Sequence, residues 1–334
     1  MLTAPADLAE DVLVSALARG WAVAVASMAY RPVGFGSHHW EVAYTGGTRW
    51  FLTVDELDNK RHSRRESMDG AFDRLRASLT AATGLRDCGR TFAVAPVPTL
   101  DGQPLVRMDD RFGVALYPFV HGRSFRWGEF IPPEHRRAVL DLVIGVHTAP
   151  DAVRRHAMAD DFAIPHRDEL EATLHSADDT VDCGPYARPT ARLLAGNAAP
   201  VRELLARYDA LAVEGRAQPS RAVLTHGEPH PGNTVLTAGG WLLVDWDTVL
   251  VAPPERDLWI LAADDGAILG AYGDATGVTP LPSMLGLYRI RWDLADIAAY
   301  VSRFRRPHTG NLDDDKSWRG LCTMIPRLGA QYAR

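Results

Sequence analysis

The sequence predicts an α+β architecture in two lobes, a small antiparallel sheet at the N-terminus and a larger, mostly helical C-terminal portion. Three observations predict it. Up to residue 119, short alternating segments recur between glycine-bearing turns. The run Leu116-Tyr117-Pro118-Phe119-Val120-His121-Gly122 then places a proline where a strand ladder must stop, and reads as a connector. Beyond Gly122, apolar residues recur at helical spacing, broken by one strand-rich island over 222–251.

The elements follow in order. Residues 6–18 predict an amphipathic helix with Leu8, Val12 and Leu17 on one face and Gly20 as its stop. Residues 21–26 alternate like a strand, and Arg31-Pro32-Val33-Gly34-Phe35-Gly36-Ser37 is a turn. Strands are predicted at 39–44 and 50–54, joined through Gly46-Gly47. Met68, Phe72, Leu75 and Leu79 form the apolar stripe of a helix over 65–82. Residues 91–96, 104–108 and 112–119 are short and strand-like, so the first lobe is drawn as 1–119 and the second as 120–334. In the second, Val139, Leu142, Val143 and Val146 share a helical face, and 150–220 is helical with breaks at Pro165, Pro185 and Pro189. The island holds strands at 222–225, 234–237 and 241–246, and helices resume at 256.

Composition narrows the class. The chain has 334 residues, 46% of them hydrophobic and 23% charged, which excludes wholesale disorder. A net charge of −6 argues against nucleic acid as a partner. Cys88, Cys183 and Cys322 lie far apart without a C-x-x-C pair, so neither a disulfide framework nor a cysteine zinc site is expected. No run reaches the length of a membrane span, and the apolar stretch from Val12 to Tyr30 is preceded by acids, unlike a signal peptide. A cytoplasmic protein, monomer or homodimer, with no membrane partner is expected. Of 36 basic residues only Lys60 and Lys316 are lysines.

Chemistry concentrates in Thr225-His226-Gly227-Glu228-Pro229-His230-Pro231-Gly232-Asn233 and Leu243-Val244-Asp245-Trp246-Asp247. A carboxylate follows a strand, an amide comes five residues later, and a second carboxylate closes the next hairpin. Prolines and Gly232 stiffen the loop. This layout suits phosphoryl transfer: one carboxylate orients and deprotonates an acceptor hydroxyl, while amide and carboxylate oxygens suit Mg²⁺. Zinc chemistry is a poor fit, because His226-x-Glu228 lacks the P-C-x-x-C half of the deaminase signature. No G-x-S-x-G elbow supports a hydrolase.

These two segments resemble the aminoglycoside phosphotransferase family, which has a protein-kinase-like fold and the pattern H-G-D-x-x-x-x-N followed by D-W. Ala252-Pro253-Pro254-Glu255-Arg256-Asp257-Leu258-Trp259 resembles the family's G-P-x-x-x-D-L-A segment, and Tyr288-Arg289-Ile290-Arg291-Trp292-Asp293-Leu294 is similar to its spectinomycin phosphotransferase branch. The resemblance implies ATP or GTP as donor, Mg²⁺ on Asn233 and Asp245, Glu228 at the base position, His226 beside it as the loop's brace, and Asp257 as a structural brace. It implies that Gly34, Gly36 and Ser37 turn over the phosphates and that Tyr117 to Val120 form the hinge against the base. The acceptor would be a small, cationic, hydroxylated molecule such as an aminoglycoside or aminocyclitol, met by Asp264 or Asp265, Trp292, Asp293 and Asp296.

Two departures stand out. Glu228 replaces the family's aspartate, extending the carboxylate by one methylene. Thr53 stands where the third strand would carry a phosphate-binding lysine, so Arg49, Lys60 or an arginine of Arg61-His62-Ser63-Arg64-Arg65 must substitute, and Glu66 or Asp69 loses its partner. Both departures motivate an alternative, a kinase-shaped binding protein with little or no phosphotransfer. Elsewhere, Arg61–Arg65 is expected as a solvated face, His147 as a core histidine at a helix end, and Asp313-Asp314-Asp315 as exposed loop.

Overall fold

The computed structural model describes residues 1–175, 183–262 and 266–332. Its N-terminal part contains α1 (Glu10–Trp21), β1 (Val25–Tyr30), β2 (Ser37–Tyr44), β3 (Arg49–Glu56), α2 (Leu57–Lys60), α3 (Met68–Asp87), β4 (Val106–Met108) and β5 (Phe112–Pro118). The strands form one antiparallel sheet in the order β1-β2-β3-β5-β4. Strand alternation divides its faces. Trp40, Val42, Leu52, Val54, Val114 and Leu116 pack against Leu13, Leu17 and Trp21 of α1 in one core. His39, Phe51, Thr53, Asp55 and Tyr117 take the other face and line a cleft.

After the connector come β6 (Arg123–Ser124), α4 (His135–His147), α5 (Asp151–Arg154), α6 (Arg167–His175), α7 (Ala187–Gly196), α8 (Ala198–Arg216), β7 (Val223–Thr225), β8 (Thr234–Thr237), β9 (Gly240–Leu243), β10 (Leu250–Ala252) and α9 (Glu255–Leu258). Then follow α10 (Ala267–Thr276), α11 (Pro282–Phe304), α12 (Leu312–Met324) and α13 (Leu328–Tyr332). β7 pairs with β10, and the β8–β9 hairpin pairs with β6. The α11 stripe Leu287, Ile290, Leu294 and Ile297 is fully buried and organises the helical core with α6, α7 and α8. This is the α+β, kinase-like layout that the sequence predicts. No helix among the described residues is long and apolar enough to cross a membrane.

Several expectations are corrected. Gly20 lies inside α1, not beyond it: a Cβ there would meet Val106 at 3.2 Å, so the glycine admits close packing on β4, and Ala22 at φ 54° ends the helix instead. Residues 91–96 form no sheet strand. The Val94 N–H donates to the Leu243 carbonyl (3.0 Å) and the Leu243 N–H to Phe92 (2.9 Å), tying this stretch to β9. Leu75, Leu79 and Leu85 of α3 share a core with Leu142, Val146, Leu224 and Trp246. A cut at 119/120 therefore separates the sheets but not the packing. Asp313-Asp314-Asp315 opens α12 rather than a loop: Asn311 and Asp314 form a capping box, Asp313 accepts the Leu2 and Thr3 N–H groups, and Asp314 pairs with Arg303 at 2.7 Å. In the 61–65 run, Arg64 and Arg65 are exposed, as expected of a solvated face, while Arg61 pairs with Asp58 (2.8 Å) and Arg64 reaches Glu169 (3.1 Å).

Candidate active site

The loop after β7 is held from below. Asp257, fully buried on α9, accepts the His226 N–H (2.8 Å) and the Gly227 N–H (2.6 Å). His147 Nε2 lies 3.0 Å from the same carboxylate, and its Nδ1 is 2.9 Å from the Tyr272 hydroxyl. Burial alone would raise the Asp257 carboxyl; the His147 hydrogen bond and the Arg256 charge outweigh it and hold the group below the usual carboxylate range. Gly227 has φ +100°, and a Cβ there would overlap the Arg256 guanidinium, which itself bonds Thr225 Oγ1 and the Thr248 carbonyl. Asp257→Ala strips several buried donors of their acceptor. Denaturant unfolding is expected to show a loss of about 3–5 kcal/mol, and Asp257→Asn a smaller one.

His226 is fully buried, with its ring edge-on to Trp246 at 4.6 Å. Its Nε2 lies 3.0 Å from the Val244 carbonyl, and the Glu228 N–H donates to Nδ1 at 3.2 Å. Desolvation lowers its pKa, so the ring is neutral with the proton on Nε2. Both nitrogens are thus engaged with backbone. With no nitrogen left to exchange a proton, His226 joins the two halves of the motif, the bracing position that the resemblance implies rather than a catalytic one. Glu228 projects outward, 35% exposed, with its carboxylate 3.8 Å from His230.

Asn233 closes the short Pro231–Asn233 turn and is buried. Its Nδ2 donates to the Glu228 carbonyl (3.0 Å), and its own carbonyl accepts the Val244 N–H (2.9 Å). The amide orientation is therefore fixed, and Oδ1 is its uncommitted atom among the described residues. Asp245 has a positive φ of 69°, which is uncommon outside glycine and concentrates at functional positions. Although its side chain is open to the cleft, it sits between the lobes. Desolvation there, with the Asp247 and Glu228 carboxylates nearby, holds its carboxyl well above the usual range. Lys60 Nζ pairs with Asp247 at 2.6 Å and Asp55 at 2.9 Å, and lies 3.2 Å from Ser37 Oγ. Burial alone would raise Asp247, but the Lys60 ammonium outweighs it and holds the carboxyl low.

Two cavities meet here. One, of about 540 Å³, lies beneath the sheet and is lined by apolar groups including Val33, Phe51, Tyr117, Phe119 and Val244. The other, of about 1080 Å³, lies on the helical side and is lined by Trp127, Glu228, Trp259, Trp292, Asp293 and Asp296. Gly34, Phe35, Gly232, Asn233, Asp245 and Asp247 border both. Two hard oxygen donors, on Asn233 and Asp245, in a surplus of carboxylates fit a divalent cation.

The expected residues distribute as follows. Gly34 and Gly36 take positive φ in the turn, and Ser37 Oγ donates to Asp55 at 2.6 Å. Thr53 faces the smaller cavity, its hydroxyl 3.3 Å from His39 Nδ1. Tyr117 and Val120 line that cavity, while the Phe119 N–H is already given to Arg49. Trp292 packs with Trp259 (5.5 Å) and Trp127 (6.3 Å). Asp293 is already held, by Tyr332 (2.6 Å) and Gln331 (3.0 Å) of α13. Asp296 has no hydrogen bond or ion pair among the described residues, and desolvation plus the Glu228 and Asp293 charges raise it to about 7. Asp264 and Asp265 lie outside the described residues. Sequence reasoning missed Asp55, His39, Trp127 and Trp259 as site residues. For Asp55 and His39 a signal existed, since strand alternation turns them to the same side as Thr53.

Comparison with known proteins identifies the family and the fold. Residues 30–288 match the phosphotransferase enzyme family. Protein StrN of Streptomyces griseus is 32% identical over 278 residues, covering 79% of this chain and 80% of StrN. Among solved structures, a spectinomycin phosphotransferase in complex with ADP and spectinomycin superposes with a TM-score of 0.72 at 15% identity, over 98% of both chains. An amicoumacin kinase in complex with AMP-PNP, Ca²⁺ and Ami gives 0.55 at 12% identity, over 97% of this chain and 94% of that one.

Proposed function

The chain belongs to the phosphotransferase enzyme family, and from that premise we propose that it moves the γ-phosphate of ATP or GTP to a hydroxyl of a small cationic acceptor, an aminoglycoside or aminocyclitol such as spectinomycin. The observation that carries this reading is the shared wall: an apolar cavity and an acidic, aromatic one meet at Asn233 and Asp245. The nucleotide base suits the apolar side, in a lobe comprising 1–119, against Tyr117 and Val120. Gly34, Gly36 and Ser37 would cover its phosphates. Asn233 Oδ1 and the Asp245 carboxylate would hold Mg²⁺, which when bound neutralises phosphate charge.

The chain's own groups do the rest. Glu228, at the mouth of the larger cavity, would accept the proton of the acceptor hydroxyl and orient its oxygen, with its backbone fixed by His226 and Asn233. Trp127, Trp259 and Trp292 offer faces to an ammonium-bearing ring, and Asp296 offers the less committed carboxylate. The remainder, 120–334, would be the catalytic and substrate-binding lobe, with α3 packed against it. The cytoplasm, where the donor nucleotide is made, is its proposed location. Incubation with Mg·ATP or Mg·GTP and a panel of aminocyclitols, read by mass spectrometry, tests the function: one acceptor should gain a single phosphoryl group.

The Asp296 carboxyl makes acceptor binding depend on pH. Its raised pKa means that it is protonated below about 7 and charged above, and only the charged form attracts a cation. Binding is expected to tighten as pH rises through about 7. Asp296→Asn should weaken it about 10-fold on the alkaline side and flatten the profile, both readable by calorimetry. An unchanged profile in the variant would remove Asp296 from the acceptor site.

A further inference from the structure

Resting on the phosphotransferase reading above, we propose that Lys60, carried on α2 after the third strand, is the cation that grips the donor's terminal phosphates in place of a strand residue. Thr53, on the cleft face of β3, is neutral and spends its hydroxyl near His39. Asp55 stands two residues along on the same face, and the strand then turns into α2. From the end of that helix the Lys60 side chain reaches back. Its ammonium contacts Ser37, Asp55 and Asp247, three residues that line the smaller cavity, while Lys60 itself lines the larger one. A charge at that junction faces the end of a nucleotide whose base lies under the sheet.

Of the rival cations, Arg49, Arg61, Arg64 and Arg65 line neither of the two cavities. Arg49 pairs with Glu41 and lies over the Phe119 ring. Arg61 and Arg64 are tied to Asp58 and Glu169. Lys316 is exposed, donates to the Gly34 carbonyl and borders only the acceptor side. The acids that would partner a strand lysine are also engaged elsewhere: Glu66 binds Arg74, and Asp69 binds Arg107. Asp55 and Asp247 replace them as counterions. Burial would weaken the Lys60 ammonium, but those two carboxylates outweigh it, and it is charged. Lysine binds phosphate as a point charge on a flexible stem. Exchanging Asp247 for a phosphate oxygen would free that carboxylate toward the cation site as the nucleotide enters.

Calorimetry with Mg·ATP and steady-state kinetics on Lys60→Met test this. The nucleotide Kd and KM are expected to rise about 10- to 100-fold, while the acceptor KM stays within about twofold. Lys60→Arg should recover part of the loss. Thr53→Lys added to Lys60→Met should recover more, because it returns a cation to the strand; it also supplies the orphaned acids with a partner if Lys60→Met alone fails to fold, and thermal melts check this. Wild-type nucleotide affinity in folded Lys60→Met, or no recovery in the double variant, would overturn the proposal. If the wild type transfers phosphate and Lys60→Met does so equally well, only the lysine assignment falls. If the wild type binds no nucleotide, the phosphotransferase reading falls with it.

Discussion

Asp245→Asn is expected to lower phosphoryl transfer at least about 1,000-fold while leaving the protein as stable as the wild type or more so. The two halves of this expectation have different causes. Exchanging a carboxylate for a neutral amide would strip the proposed cation of its only charged ligand in the pair with Asn233, and phosphoryl transfer relies almost wholly on positioning and charge neutralisation. Stability moves the other way. Burial between the lobes, together with the neighbouring Asp247 and Glu228 carboxylates, makes the Asp245 carboxyl resist ionisation. A neutral amide relieves both effects, and asparagine tolerates the left-handed backbone at φ 69°. A continuous assay for the nucleoside diphosphate, run beside thermal melts, reads both. Lost activity together with a lowered melting temperature would mark Asp245 as structural.

Glu228→Gln is expected to cut kcat by about 100- to 10,000-fold with little change in either ligand's affinity. The amide keeps the size and the backbone contacts with His226, His230 and Asn233, yet it cannot take a proton. Glu228→Asp is the sharper comparison. Asp and Glu have similar intrinsic pKa values, about 3.9 and 4.3, so any change reports reach. If the loop is set for the longer side chain, Asp costs about 10-fold or more in kcat. If Glu228→Asp is faster than the wild type, the extra methylene is a handicap in this chain. Rapid-quench measurement separates the chemical step from product release.

What was legible in the sequence and what was not follows from distance along the chain. Glu228, Asn233 and Asp245 lie within one short run whose prolines and hairpin constrain it locally, so spacing alone brings them to one cleft. The alternation of β2 and β3 and the buried stripe of α11 are also local patterns. The Lys60–Asp247 pair spans 187 positions, and the His147–Asp257 pair 110; no periodicity connects such residues. Asp293 is expected to meet the acceptor, and nothing local shows that Tyr332 and Gln331, which occupy its carboxylate, arrive from the other end of the helical core. Gly20 misled for a different reason. A glycine near a helix end signals either a cap or a close approach, and only the packing of α1 on Val106 decides between them. The acidic run at 313–315 misled because an N-terminal capping box and a surface loop share the same composition.

The measurement that bears most directly on the site is nucleotide affinity with and without a divalent cation, in wild type and in Asp245→Asn, by calorimetry. It depends on no choice of acceptor. ATP or GTP is expected to bind tightly with Mg²⁺ and about 10-fold or more weakly in a chelator, with Asp245→Asn losing most of the Mg²⁺ effect. Equal affinity under all of these conditions would contradict a cation held by Asn233 and Asp245, and would leave a kinase-shaped protein that binds its ligands by other means.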